Sequence, residues 1–172
     1  HEAGLALPPA ARDAMLDGLT AFVTGRIERK FWSPKADLDV RKLAAIEALA
    51  RYGRAQPRML GSVNLTPQQW PTAAVIDWLS ILQRLPEVPD RAKRLDDARQ
   101  ILRARLNYGG TTLRFSNEAD DYWWWLMDSA DSNAARLILT VMDDSGWKDD
   151  LPRLVTGHLA RQQRGAWLTT TA

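Results

Sequence analysis

Glu118-Ala-Asp-Asp-Tyr-Trp-Trp-Trp-Leu126 is the stretch on which the reading of the fold turns. Consecutive residues of a helix step by about 100°, so three adjacent tryptophans sweep roughly 200°, wider than one apolar stripe. A helix that carries them is either buried on several sides or offers an aromatic face for contact. Large indoles between helices more often plug a joint, with the N–H meeting a carbonyl. Trp123, Trp124 and Trp125 are therefore read as joint-packing residues. The closing stretch Arg164-Gly-Ala-Trp-Leu-Thr-Thr-Thr-Ala172 stops without a helix-terminating signal, and the chain is expected to be a piece of something larger.

Outward from that stretch the pattern is helical nearly everywhere. Pro8-Pro9 opens a helix expected to reach about Lys30, with Met15, Leu16, Leu19, Phe22, Val23 and Ile27 at helical spacing. Asp37 or Asp39 starts a second, which Gly53 ends. A short helical turn is expected over 57–61, and a third long helix over 72–84, with Val75, Trp78 and Leu82 as core. Asp90 is expected to cap a fourth helix running to Leu106, whose Arg91, Lys93, Arg94, Asp96, Asp97 and Arg99 read as an exposed face of mixed sign. Residues 107–110 read as a loop and 111–115 as a short strand. Ser132 is expected to cap a helix to Asp143, and Asp149 or Asp150 one to Gln163. Prolines, glycines and tryptophans recur in the links, at Leu65-Thr-Pro-Gln-Gln-Trp70, Gly146-Trp147 and Gly165-Ala-Trp167. Helix pairs of roughly 35 to 50 residues have the period of helical arrays. The expected class is all-α: an array of helical hairpins over 1–172, with at most one short strand pair near 111–115. Trp147 and Trp167 join the central tryptophans as joint or interdomain packing residues.

Composition narrows the function. The chain has 172 residues, 45% hydrophobic and 26% charged, enough for a packed core and far from a disordered composition. A net charge of +2, with bases interleaved among acids, argues against nucleic-acid steering. There is no cysteine, which removes disulfides and thiolate metal sites. No apolar run is long enough to form a membrane-spanning helix. His1-Glu-Ala-Gly-Leu-Ala-Leu7 has no signal-peptide pattern, so any export signal is expected outside this stretch.

Three groups of residues bear on chemistry. Glu118, Asp120 and Asp121 beside the tryptophans offer carboxylates for glycoside hydrolysis, with Trp123 to Trp125 as a sugar platform. The favoured reading places these acids in the first turn of the tryptophan helix, where its dipole welcomes them. Asp120 and Asp121 point about 100° apart on a helix and cannot grip one bond together. Asp143-Asp144 and Asp149-Asp150 coincide with a helix end and a helix start; capping explains the second pair better than the first, and neither has calcium-loop spacing. His158, on a helix with Arg153, Arg161 and Arg164 nearby, reads as structural or exposed. No nucleophile motif, phosphate-cradling loop or metal-spaced histidine pair occurs. No catalytic residue, metal or cofactor is expected. A helical scaffold that binds a protein through exposed tryptophans is a further alternative.

Ser116-Asn-Glu-Ala-Asp-Asp-Tyr-Trp-Trp-Trp-Leu126, Trp147-Lys-Asp-Asp-Leu-Pro-Arg-Leu154 and Arg161-Gln-Gln-Arg-Gly-Ala-Trp-Leu-Thr-Thr-Thr-Ala172 resemble the bacterial alpha-2-macroglobulin-like proteins. Asp39-Val-Arg-Lys-Leu-Ala-Ala-Ile-Glu-Ala-Leu49 and Leu65-Thr-Pro-Gln-Gln-Trp-Pro-Thr72 fit the same resemblance, which spans nearly the whole chain. It implies the later part of a thioester-type domain, an α/α toroid of helical hairpins. It further implies a periplasmic, multidomain endopeptidase inhibitor, often anchored as a lipoprotein, that traps proteases after cleavage of a bait region. The partners it implies are target proteases and other domains of the same chain. Many members carry a Cys-Leu-Glu-Gln thioester motif upstream of the matched portion. This chain lacks it, so the resemblance implies packing and shielding here, without covalent chemistry.

Overall fold

A computed structural model describes residues 6–28, 37–116 and 128–162. It is all-α in class: helices dominate, and one short antiparallel strand pair occurs among the described residues. The order is α1 (Pro9–Val23), α2 (Leu38–Arg51), α3 (Thr72–Arg84), α4 (Arg91–Ala104), β1 (Leu106–Gly109), β2 (Thr112–Phe115), α5 (Ala130–Val141) and α6 (Leu151–Leu159). Short 3-10 turns cover Pro57–Ser62, Pro67–Gln69 and Ser145–Trp147. The chain divides into two compact units, His1–Thr66 with Ile81–Arg91, and Pro67–Ser80 with Ala92–Ala172.

In the first unit α1 packs on α2, and α2 on the 3-10 turn that follows it. Val40, Leu43, Ile46, Leu49 and Ala50 recur at helical spacing on α2 and are buried, with Met59 and Leu60 of the turn. Both helices end alike. Gly25 and Gly53 take positive φ (75° and 66°), the next N–H reaches back to Ala21 or Leu49, and the carbonyls of Phe22 and Ala50 accept from the glycines. This is the left-handed stop that glycine makes at low cost. Gly53 is legible in the sequence as a stop. Gly25 ends α1 seven residues before the expected Lys30, although Ile27 continues the apolar spacing. Gly18, inside α1, has no atom within 4 Å of where a Cβ would stand.

Helix α3 runs over the expected residues. Ala74, Val75, Ile76, Trp78, Leu79, Ile81 and Leu82 are buried on all sides of it, as in a helix central to its surroundings. Helix α4 begins at Arg91, directly after Asp90 as expected, and Asp90 takes φ 54° where the usual N-cap is extended. One expectation at α4 is corrected. The arginines of α4 are not a plain solvated face. Arg91 donates to the Leu82 and Gln83 carbonyls at 2.6 and 3.3 Å, closing the end of α3.

The second unit holds the hairpin. Helix α4 stops at Ala104 rather than Leu106 because Leu106 pairs with Phe115 and Gly109 with Thr112. The expected loop over 107–110 is thus mostly strand. Gly110, at φ 61°, stands first in a two-residue connection, as a II′-type turn requires. Leu113 and Phe115 alternate inward on β2, which packs on α6 and α5.

Helix α5 starts at Ala130, three residues before the expected Asn133. Ser129 is the N-cap, and the two serines exchange backbone-to-hydroxyl bonds, both 3.1 Å, as a reciprocal capping box. Ser129→Ala is expected to cost about 1 kcal/mol, read as a lower urea midpoint at unchanged slope. Helices α5 and α6 end at Val141 and Leu159, short of the expected Asp143 and Gln163.

Candidate functional site

Among the described residues, a dense constellation of charged and aromatic side chains lies where α5 turns into α6. Two arginines one turn apart on α4 reach into that link. Arg99 places Nε and Nη2 at 3.1 and 2.8 Å from Asp144 Oδ2, and Nη1 at 3.1 Å from Asp96. Arg103 places Nε 3.4 Å from Asp150 and donates to the Gly146 carbonyl. The phenol of Tyr108, on β1, donates to Asp150 at 3.0 Å. The hydrogen bond to Asp150, with burial and that carboxylate's charge behind it, raises the Tyr108 pKa against the pull of Arg103 and Arg153. Helix, strand and link are thereby fastened by charge-assisted bonds, stronger than neutral ones.

This settles the two acid pairs, and it reverses the capping expectation. Asp144 caps, accepting from the Gly146 N–H at 2.9 Å at the start of the 3-10 turn. Asp150 stands at the N-cap position of α6 without a side-chain cap bond and instead binds Tyr108 and Arg103. Asp143 and Asp149 are exposed. Only the partners, supplied by α4 and β1 from over 40 residues away in the chain, distinguish the inner acid of each pair from the outer.

Trp147 sits inside the link with no exposed surface. The Arg103 guanidinium lies 4.4 Å from the ring centroid, a cation–π distance. Sequence reasoning expects an indole N–H to meet a carbonyl, yet Nε1 of Trp147 has no hydrogen-bond partner among the described residues. Apolar burial and the guanidinium on the ring face hold it instead. Trp70 and Trp78 are also buried and meet edge to face, centroids 6.1 Å apart and planes at 86°. Arg94 stands 6.0 Å from the Trp78 ring. Arg105 holds the entry to α3 through the Trp70 carbonyl at 2.8 Å and Thr72 Oγ1 at 3.2 Å. Trp123, Trp124, Trp125 and Trp167, with Glu118, Asp120 and Asp121, lie outside the described residues.

A second charged group surrounds the start of α5. Arg136 pairs with Asp77 of α3 and lies 3.9 Å from Asp128. Arg161 pairs with Asp131, whose side chain is 1% exposed. His158, on α6, lines a small cavity with Leu106, Leu113, Phe115, Leu154 and Arg161. Its volume is about 10 Å³, the room of one water. Burial lowers the His158 pKa from 6.5; Asp131 opposes this and Arg161 adds to it.

Gly157 is the residue that sequence reasoning missed. A Cβ there would overlap the carbonyl oxygen of Leu113 and stand 3.1 Å from that residue's C and N atoms. Its signal was present as a lone glycine inside a helical pattern.

What this arrangement does chemically is bind helices to one another. Its carboxylates face guanidiniums and a phenol. Among the described residues no group of three His, Cys, Asp or Glu is placed to hold a metal ion, and no helix is long and apolar enough to cross a membrane. Comparison with protein-family models, with curated proteins and with solved structures gave no match.

Proposed function

We propose that this chain is part of a bacterial alpha-2-macroglobulin-like endopeptidase inhibitor, a section of its α/α toroid that packs and shields. The observation that supports this best is the joint at Trp147. Trp147-Lys-Asp-Asp-Leu-Pro-Arg-Leu154, a string on which the resemblance rests, forms a packed corner in which Asp150 and Trp147 meet Arg103. A rigid corner of this kind suits a domain that presents a fixed surface to its neighbours. In this reading the protein works in the periplasm, held by a lipid anchor, and protease cleavage elsewhere in the parent rearranges the docking of the toroid.

The test mixes the full-length parent with an endoprotease and follows a large and a small substrate separately. Cleavage of the large substrate should fall steeply while most small-substrate cleavage persists, because a trapped protease keeps its active site but loses access to bulky substrates. Equal loss of both, or loss of neither, would overturn the proposal.

A further inference from the structure

We draw no further inference here: the strongest candidate, the exposed apolar side chains Leu139 and Met142 at the end of α5 with Val155 and Leu159 on α6, carries none because nothing in the structure shows what covers them.

Discussion

Gly157→Ala is expected to destabilise the protein by about 2 kcal/mol, although an added methyl normally helps a helix. Replacing glycine by alanine in a helix interior gains about 1 kcal/mol from backbone entropy alone. Against this stands steric overlap with the Leu113 carbonyl, a backbone group already fixed by the β1–β2 hairpin. Overpacking of a well-filled contact costs roughly 1–3 kcal/mol, and the upper end applies where the obstacle is backbone rather than a pliant side chain. Helix α6 must lift or the hairpin must shift. Gly18→Ala supplies the control. It is also helical, has open space around the new methyl, and should gain about 0.5–1 kcal/mol. Urea unfolding of both variants gives opposite signs if the close approach of α6 to β2 is correct. Two stabilised variants would refute it.

Trp147→Ala is expected to cost about 4 kcal/mol, the usual range for removing a large buried aromatic. The side chain has no exposed surface, so its whole volume becomes a cavity, and Arg103 loses the ring over which it lies at 4.4 Å. Trp147→Phe separates the contributions. It keeps an aromatic face for the guanidinium and removes an indole N–H that lacks a partner among the described residues. Desolvation of that N–H is unrepaid in the wild type, so its loss offsets part of the lost volume. The phenylalanine variant should therefore cost about 1–2 kcal/mol. Denaturation midpoints in which both variants lose equally would place the stabilisation in the indole N–H, contrary to this geometry.

The two variants probe different kinds of information. Trp147 was legible as a large aromatic beside a glycine in a helix link. Gly157 carries no apolar or charged signal, and its role appears only when β2 is laid under α6. The same division runs through the site. Asp144 and Asp150 are recognisable as acids near helix ends, but spacing cannot tell which member of each pair is engaged. Arg99 reads as part of an exposed face of mixed sign until the 144–150 link is brought against it and against Arg103, one helical turn on. The serine box at α5 was missed by one turn because Ser129 and Ser132 both satisfy the N-cap preference, and only reciprocal bonding identifies the outer one.

What the sequence by itself determined is the class and most of the elements: helical periodicity, Gly53 as a stop, α3 over its full length and Trp78 in the core. These depend on neighbours within a few residues, where backbone conformation and apolar spacing act. The tertiary structure decided where helical spacing yields to another demand. Gly25 ends α1 through a left-handed conformation while the apolar pattern continues, and Leu106 leaves α4 because a strand partner nine residues on competes for its backbone. It also decided which charges meet. Ion pairs and close backbone contacts join residues 30 to 60 apart in the chain, and a linear pattern holds no distance across that gap.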